Sequence, residues 1–357
     1  MRVVLFQAFP DDYRQSMRVY YDSLREAVRP LLRPGEEISG YLPAALRPTP
    51  RPLRYWDQYL RYPMLAPLSQ GDVNHVVDQA YGHLLHACDA RRSAVTFHDA
   101  IALKARKRLT FIQRYNLSAI RKAAAVLCVS EASRKDLLAY LPSAKRRVRV
   151  IYEGVHSRFF ETAAGDPKRR LSLAEGRYLL HVGHVKFYKN IPALLQVLAI
   201  LTRQRGLHLK LLRVGGPFSN EQERLIDRFG IRDRIVSLGI VPAERLPDVY
   251  RSAELLLLPS LDEGFGFPAL EAMASGLPVV ASNRGALPEV IGKAGVLVDP
   301  ADCAAMAKEV ESVLTQPGRR QELREAGAQR ARQFTWEKTA GETLAVYREI
   351  HAGKAGA

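Results

Sequence analysis

Two glutamates, Glu263 and Glu271, stand at the ends of the segment Glu-Gly-Phe-Gly-Phe-Pro-Ala-Leu-Glu. The apolar run 255–258 before it predicts a buried strand, and Pro268 predicts the start of a helix, because proline is favoured at the first helical position. Phe267 has no side-chain oxygen to cap this helix, so its first amides are predicted to face a ligand. Carboxylates beside amides that attract anions suit a molecule with both phosphate and hydroxyl groups, such as a sugar nucleotide. An ordinary glycine-rich loop with surface glutamates is the alternative.

A second loop with phosphate-binding chemistry follows the apolar run 178–182. It reads His-Val-Gly-His-Val-Lys-Phe-Tyr-Lys-Asn over 181–190 and supplies a glycine turn, Gly183, with two lysines, Lys186 and Lys189. Lysine is a mobile point charge that suits a terminal or bridging phosphate, although surface lysines without a ligand are the alternative. The sequence contains no GxGxxG and no Walker pattern, which argues against dinucleotide-binding and P-loop proteins.

His98 follows the apolar run 94–97 and is the candidate residue of the first half of the chain. At the end of a strand it could donate a hydrogen bond to a sugar hydroxyl or a phosphate, or the local backbone could satisfy it. Asp11 and Asp12 have no second acidic cluster to complete a metal site, so no metal is predicted. The three cysteines lie far apart without a CxxC pair, which argues against a zinc ribbon or disulfide framework and favours a reducing cytosol.

Strand and helix patterns alternate along most of the chain and must position these residues. The predicted strands are 3–6, 94–97, 126–129, 148–152, 178–182, 209–214, 235–238, 255–258, 279–281 and 295–298. The clearest helical patterns are 190–204, 219–229, 302–315 and 318–333. Such alternation predicts parallel sheets covered on both faces, and two series of it predict two doubly wound α/β domains with a seam in the polar stretch 156–176. Ligands of such sheets bind beyond the carboxyl ends of the strands, where the candidate residues lie.

Charge separates the two halves of the chain. The net charge is +16 over 357 residues, and 101–150 alone contains 13 basic and 2 acidic residues. Such a surplus attracts anions, which include nucleic acid, an acidic membrane surface and phosphorylated substrates; a solvated basic surface is the alternative. The 47% hydrophobic and 25% charged content excludes wholesale disorder. No run of 18 apolar residues and no secretory signal pattern occurs.

The segment Glu263 to Glu271, with the Ala-Met-Ala-Ser-Gly-Leu-Pro-Val-Val-Ala-Ser that follows it, resembles the Glu-x7-Glu motif of glycosyltransferase family 4. The resemblance continues in 182–190, in Gly-Ile-Val-Pro at 239–242, in Gly-Val-Leu-Val-Asp-Pro at 295–300 and in Phe-Thr-Trp at 334–336. It is dense over 150–345 and thinner before that range.

This resemblance implies the GT-B architecture, in which two Rossmann-like doubly wound domains face each other across a cleft. An acceptor-binding domain would occupy 1–160 and a nucleotide-sugar-binding domain 161–335. The C-terminal helix, 336–357, would return to the first domain.

The family's functional residues carry over onto matching positions. The catalytic set that the resemblance implies is His98, Glu263 and Lys189. The donor-binding set is Gly183, Lys186, Lys189, Gly264, Phe265, Gly266, Phe267 and Glu271. Within these sets Glu263 and the amides of 264–267 would hold the donor sugar and its phosphates, and Glu271 would bind the ribose hydroxyls. Lys189 would bind the diphosphate, and His98 would face the donor sugar.

The implied reaction transfers a hexose with retention of anomeric configuration, by front-face attack, the leaving phosphate taking the proton of the acceptor. Lysine and helix-end amides would stabilise the charge that grows on that phosphate, so neither a metal nor a cofactor beyond the nucleotide-diphosphate sugar is expected. The loop 183–190 resembles that of bacterial mannosyltransferases. GDP-mannose is therefore the first expected donor, followed by UDP-glucose and UDP-N-acetylglucosamine.

Three positions depart from the family pattern. His184 stands where many members have an arginine, with Lys186 as a possible substitute at the diphosphate. The glycine-rich loop that often follows the first strand is missing at 7–16. The usual Asn-Gly-Val-Asp between the domains reads Glu-Gly-Val-His at 153–156, which we interpret as structural.

The acceptor is expected to be a glycan or a lipid-linked molecule bound by the first domain, where the charge lies. The stretch 51–62 interleaves aromatic and basic residues, and 104–122 adds further basic ones. Amphipathic basic and aromatic segments can lie on anionic bilayers, whereas a partly buried helix with a polar edge is the alternative for 51–62. We therefore expect a cytoplasmic protein that can associate peripherally with the inner face of the plasma membrane.

Three other functions stay open at this point. A phosphorylase or sugar-phosphate synthase could have the same architecture, and so could a non-catalytic protein that binds sugar nucleotides or glycans. A nucleic-acid-binding protein would explain the charge, but no known nucleic-acid module occurs, so no nucleic-acid partner is expected.

Overall fold

The computed structural model describes residues 1–9, 15–43, 55–105, 108–162 and 164–354. Its contacts divide the chain into two compact units, which are Met1–Gly154 together with Thr335–Ala357, and Val155–Phe334. The sequence-based boundary after residue 160 thus falls inside the second unit, and residues 335–357 belong to the first. No helix among the described residues is long and apolar enough to cross a membrane.

The first unit contains a six-stranded parallel sheet with the strand order β2-β1-β3-β4-β5-β6. The strands are β1 Arg2–Phe6, β2 Glu37–Tyr41, β3 Val73–Val76, β4 Ser93–Phe97, β5 Ala125–Cys128 and β6 Val148–Val150. Two of them, β2 and β3, have no counterpart among the predicted strands. Only Ile38 of edge strand β2 is buried, and the polar residues Asn74 and His75 interrupt the apolar run of β3 although both are buried.

The second unit contains a parallel sheet with the order β12-β11-β10-β7-β8-β9. The strands are β7 Tyr178–Val182, β8 Lys210–Val214, β9 Ile235–Gly239, β10 Leu255–Leu258, β11 Val279–Ser282 and β12 Val296–Val298. The chain fills one side of the sheet from β7 to β9 and then returns to β10 on the other side of β7. The carboxyl ends of β7 and β10 therefore flank a topological switch point, where open α/β sheets bind ligands.

Helices cover both sheets. Those of the first unit are Gln15–Val28, Tyr62–Leu65, Ile101–Lys104, Phe111–Ile120, Glu131–Tyr140 and Trp336–His351. Those of the second are Pro167–Arg170, Ile191–Ala199, Asn220–Phe229, Leu246–Arg251, Phe267–Ala274, Leu287–Ile291, Cys303–Thr315 and Pro317–Ala331. The pattern predicted as one helix over 190–204 is α-helical to Ala199 and continues as the π-helical turn Ile200–Gln204.

Each unit has its own apolar core. The four leucines of β10 are completely buried, as expected for a strand with helices on both faces. In the second unit Leu257 belongs to the same core cluster as Leu194 and Leu198 of the helix Ile191–Ala199. Full burial of one leucine side chain contributes roughly 1.5–3 kcal/mol, so this core holds the strand ends that position the candidate site.

The C-terminal helix Trp336–His351 packs within the first unit. A Cβ atom on Gly154 would overlap the backbone of Thr335 and Trp336, so only glycine fits at this position. The hydroxyl of Thr339 donates a hydrogen bond of 2.7 Å to the carbonyl oxygen of Tyr152. The segment just before Gly154 is thereby fixed, and it includes Glu153, which takes part in a buried ion pair described below.

Candidate functional site

The two loops at the switch point of the second unit are joined by a buried ion pair. Lys189, after β7, places Nζ 2.6 Å from Oε1 of Glu263, after β10. Ser260 donates a hydrogen bond of 2.7 Å to the same carboxylate oxygen. Both charged side chains are 9% exposed. The family resemblance implies that Glu263 helps to hold the donor sugar and its phosphates and that Lys189 binds the diphosphate, and the structure places their charged groups in direct contact.

Asn190 fixes Lys189 from the following position. It adopts the left-handed conformation at φ 52°, which asparagine tolerates better than most residues. Its side-chain amide donates to the carbonyl oxygens of Pro259 at 3.0 Å and Pro300 at 3.2 Å. One side chain thus ties the loop after β7 to the loops after β10 and β12.

The helix after β10 begins at Phe267, one residue before the predicted start at Pro268. Gly266 precedes it with φ 101° and supplies no side-chain cap. This left-handed conformation favours glycine at position 266, and a Cβ atom there would also lie 2.8 Å from Cδ2 of Leu287, whose side chain would have to shift. Phe265 is buried with its ring centroid 6.0 Å from that of Phe334, so its side chain belongs to the core and only its backbone could serve a donor.

Glu271 lies in the first turns of the helix Phe267–Ala274 and is half-buried. The Tyr250 hydroxyl donates a hydrogen bond of 2.6 Å to its Oε2. Burial raises the pKa of Glu271 to about 7, and the effect outweighs the opposing influence of the Tyr250 hydroxyl and the Arg158 charge. The carboxyl therefore changes its charge near neutral pH. Its ability to accept hydrogen bonds from hydroxyl groups changes with its charge.

A buried cation, Arg213 at the end of β8, lies under the same edge of the sheet. Its guanidinium donates to the carbonyl oxygens of Gly216 and, at 3.4 Å, of Gly183, and its centre lies 4.5 Å from the ring centroid of Phe218. No carboxylate among the described residues forms an ion pair with it, and burial lowers its pKa to about 10. A buried positive charge without a counter-ion favours an anion nearby.

The histidines of this edge are kept neutral by burial and by the positive charges around them. His181 is fully buried, and neither of its ring nitrogens has a hydrogen-bond partner among the described residues. Burial and the charges of Arg213 and Lys189 hold the pKa of His181 well below its usual value. Burial, followed by the charges of Lys186, Lys189 and Arg213, also lowers the pKa of His184. Lys186 is exposed, and its charge is available to a ligand.

His98 lies in the first unit with both ring nitrogens beside acceptors. Nε2 lies 2.8 Å from the carbonyl oxygen of Val77, and Nδ1 lies 3.2 Å from Oε1 of Glu153. Burial alone would lower the pKa of His98, but the adjacent carboxylate outweighs it and the pKa is raised. Both ring nitrogens thus lie next to acceptors of the protein itself, and that this imidazole faces the donor sugar stays a prediction.

A row of uncharged, hydrogen-bonded side chains lies next to His98. The Tyr20 ring meets the His98 ring edge to face, with centroids 4.8 Å apart, and its hydroxyl lies 2.9 Å from Oγ1 of Thr96. His75 lies 2.7 Å from the same Oγ1 and 2.6 Å from the hydroxyl of Tyr347. Burial, together with the charge of His98, lowers the pKa of His75 to about 3, so His75 is neutral.

Acidic and metal-ligating groups do not cluster in the part of the chain that the structure describes. Within it, no three His, Cys, Asp or Glu side chains come together as a metal site. The pair Asp11 and Asp12, considered as half of a metal site, lies outside the described residues.

Four residues of these sites were not identified from the sequence. Ser260 lies three positions before Glu263, a spacing that allows a loop hydroxyl to reach a carboxylate. Arg213 is the one charged residue inside the buried part of β8, which was a usable signal. Glu153 was interpreted as structural, and nothing in its sequence neighbourhood links it to His98. Tyr250 lies 21 positions from Glu271, and only the fold brings them together.

Known proteins resemble this chain in both sequence and fold. A family model described as glycosyl transferases group 1 matches residues 166–330, and one described as glycosyltransferase family 4 matches residues 21–159. Solved structures with the same fold include a sucrose-phosphate synthase from Thermosynechococcus elongatus, at TM-score 0.80 and 22% identity over 98% of this chain and 99% of that one. Another is Anabaena HepE in complex with UDP and glucose, at TM-score 0.77 and 19% identity over 97% and 99% of the two chains.

The fold and the two family models together define a glycosyltransferase of GT-B architecture. The O-antigen chain mannosyltransferase B of Escherichia coli is 30% identical over 267 residues, 72% of this chain and 70% of that protein. The MMP alpha-(1->4)-mannosyltransferase of Mycolicibacterium hassiacum is 34% identical over 237 residues, 65% of this chain and 56% of that protein. This chain belongs to glycosyltransferase family 4, and it spans only a little over half the length of the second relative.

Proposed function

We propose that this glycosyltransferase moves a hexose from a nucleotide-diphosphate sugar, with retention of anomeric configuration and without a metal ion, to a glycan or lipid-linked acceptor. The observation that carries the proposal is the Lys189–Glu263 ion pair at the switch point between β7 and β10. It joins the two loops that the fold brings to a ligand-binding edge.

The charges at this edge suit a diphosphate. Lys189, Lys186 and the buried Arg213 supply positive charge from two adjacent strand ends. When a donor diphosphate binds, the Lys189 ammonium can bind a phosphate oxygen while it remains next to Glu263. These cations supply the charge that a divalent metal would otherwise bring to the leaving phosphate, which supports the metal-independent proposal.

Two carboxylates complete the proposed donor site. Glu271 would accept hydrogen bonds from the ribose hydroxyls through the oxygen that Tyr250 does not occupy. Ser260 and Lys189 both contact Oε1 of Glu263 and hold its carboxylate in place. The other oxygen, Oε2, would then orient a sugar hydroxyl. In this proposal His98 and Glu153 act as a positioning pair that shapes the acceptor side of the first unit.

GDP-mannose is our first choice of donor. Two relatives carry mannosyltransferase names, and the loop 183–190 resembles that of bacterial mannosyltransferases. The HepE neighbour, solved with UDP and glucose, keeps UDP-glucose as the next choice, with UDP-N-acetylglucosamine after it.

We propose that the protein binds an anionic membrane surface and reaches its lipid-linked acceptor there. Arg108, Arg114 and Arg121 are exposed on the first unit, and no carboxylate of the described residues lies within ion-pair distance of them. Lys104 instead pairs with Asp136, and Arg106 and Lys107 lie outside the described residues, as do the first four positions of 51–62.

The test is transfer from GDP-mannose, UDP-glucose and UDP-N-acetylglucosamine in the presence of EDTA, followed by proton NMR of the anomeric signal of the product. We expect one donor to be used and the anomeric configuration of the donor to be kept. Glu263→Ala should reduce turnover, whereas Glu271→Ala should weaken donor binding. An inverted product, or activity that requires a divalent metal, would contradict the proposal, and wild-type activity in either variant would contradict the site assignment.

A further inference from the structure

A cavity of about 420 Å³, lined by both apolar and polar side chains, lies inside the first unit. Its inner wall includes Phe97, Leu117 and Ile120, which are all buried. Tyr55 and Ile112 line it where it reaches the surface, and both are exposed. The volume falls in the range of small-molecule sites, roughly 300–1,000 Å³. Nothing in the proposed donor chemistry uses this cavity.

A shallower apolar depression of about 360 Å³ adjoins the cavity. The two share Tyr55, Tyr59 and Ile112, and the depression adds Trp56 and Phe111. Trp56 is 64% exposed and Phe111 82% exposed. Large aromatic side chains gathered at one exposed place mark a binding surface more often than a solvated one.

The other end of the cavity is polar and lies at the carboxyl end of β4. Asp99 and Gln79 line it there, and the side chain of Gln79 donates to the carbonyl oxygen of Asp99 at 3.1 Å. The backbone amide of His98 in turn donates to Gln79 at 3.0 Å. The cavity therefore extends from the strand end that precedes His98 to the aromatic surface. Gln58, Gln113 and Asn116 also line it, and its predominantly apolar part is the opening into the depression around Trp56 and Phe111.

Positive charge close in sequence to the residues that line the opening favours apolar ligands that also carry an anionic group. Arg108 and Arg114 flank Phe111 in sequence and are exposed, and neither has a carboxylate partner among the described residues. An apolar opening lined by Phe111, with exposed cations three residues before and three residues after it, is complementary to an amphiphile with a hydrocarbon chain and an anionic group. An apolar protein segment would not need these charges.

We propose that this cavity binds the hydrocarbon chain of a lipid-linked anionic acceptor, with the polar end beside Asp99 and the chain leaving over Trp56 and Phe111. The inference rests on the proposed glycosyl transfer and names the acceptor class: a lipid whose chain is bound by the protein. Because each buried methylene adds about fourfold to affinity, chain length should control binding.

The experiment titrates the full chain with butyl, octyl and dodecyl phosphate below their micelle concentrations. The readout is the fluorescence of Trp56; the second tryptophan of the chain, Trp336, is buried and serves as a constant background. We expect octyl phosphate to bind at least about tenfold more tightly than butyl phosphate, and dodecyl phosphate more tightly still. Equal affinity for the three chain lengths would overturn the proposal.

A matched pair of variants tests the place of binding. Ala102 lines the cavity and is exposed, so Ala102→Phe narrows the cavity without disturbing the core. Ala105 is exposed on the same short segment and does not line the cavity, so Ala105→Phe is the control. Ala102→Phe should weaken dodecyl phosphate binding at least about tenfold, whereas Ala105→Phe should change it less than about twofold. Equal effects of the two variants would overturn the proposal.

Two further results would also overturn it. Binding to phosphatidylglycerol vesicles that Ala102→Phe leaves intact, with no binding of monomeric dodecyl phosphate, would make the surface a membrane contact only. Dimerisation in light scattering that Phe111→Ser abolishes, again without dodecyl phosphate binding, would make it an interface between two copies. Nucleotide titration of the same samples separates this proposal from the donor proposal, since the donor residues belong to the other unit.

Discussion

At the scale of single residues, the candidate sites are built from buried charges whose partners come from distant positions. Lys189 meets Glu263 across 74 positions of sequence, and His98 meets Glu153 across 55. A buried charge is tolerated only when it is paired or hydrogen-bonded, so each partner has consequences for both stability and binding.

Glu271 is expected to make nucleotide binding depend on pH. Its pKa is raised to about 7 by burial, and ribose hydroxyls bind the carboxylate form better than the acid. Binding therefore favours the deprotonated protein, and affinity should rise several-fold between pH 6 and pH 8. Calorimetric titration with the preferred nucleoside diphosphate measures this. Glu271→Gln is the control, because it removes this contribution and leaves only the titration of the ligand. Identical pH profiles of the two proteins would refute the assigned role.

Glu153 is expected to stabilise the first unit through His98. Because the pKa of His98 is raised, its contribution to stability is complete below the ordinary histidine pKa and is lost as the pH rises through the raised value. Glu153→Gln should lower the free energy of unfolding by roughly 3 kcal/mol at pH 6 and by less at pH 9. Urea unfolding at both pH values, with the exposed Glu26→Gln as control, tests this. A loss that does not depend on pH would show that His98 is not charged in the native state.

At the scale of elements, the site depends on the close approach of the loops after β7, β8 and β9. The amide of Gly183 donates to the carbonyl oxygen of Val214 at 3.0 Å, and the amide of Gly215 donates to that of Gly239 at 2.8 Å. Gly215 has φ 140°, and a Cβ atom there would overlap the carbonyl oxygen of Gly183. Glycine is therefore required at position 215, because a side chain there would collide with the backbone of the neighbouring loop.

Gly215→Ala and Gly216→Ala form a matched pair of neighbouring substitutions. The Cβ atom of the first would collide with the backbone of Gly183, whereas that of the second would meet no atom within 4 Å. Gly215→Ala should cost roughly 3 kcal/mol of unfolding free energy and weaken nucleotide binding, because the loop that carries Lys189 must move. Gly216→Ala should stay within about 0.5 kcal/mol of the wild type. Urea unfolding and nucleotide titration test both, and equal behaviour of the two variants would refute the loop-contact account.

The elements of the second unit were predictable because each of its strands is an uninterrupted or nearly uninterrupted apolar run. Its six predicted strands agree with the observed ones to within one residue at each end. In the first unit, β2 and β3 were missed for different physical reasons. The edge strand buries one apolar side chain, and β3 has His75 where an apolar residue would be expected, because that histidine is satisfied by Thr96 and Tyr347.

At the scale of the whole molecule, the motifs predicted the family, and the alternation of strands and helices predicted the sheet architecture. The charge states and contacts of the site residues could not be predicted in this way. The spacing of Glu263 and Glu271 identified both carboxylates, but it could not show that one is neutralised by Lys189 and the other shifted toward neutrality by burial. Those properties depend on distance and desolvation, which only the folded chain determines. The charge surplus of 101–150 likewise predicted an anionic partner, but the cavity beside it became visible only in three dimensions.

We propose above all that the edge of the second sheet binds a nucleoside diphosphate without a metal. The most direct measurement is calorimetric titration with GDP, UDP, ADP and dTDP in EDTA, for the wild type and for the double variant Lys189→Met/Glu263→Gln. This variant removes both members of the ion pair, so no buried charge is left unpaired. We predict one clearly preferred nucleotide, GDP first, and at least about tenfold weaker binding by the variant. Absence of binding to all four nucleotides, or equal binding by the variant, would contradict the account.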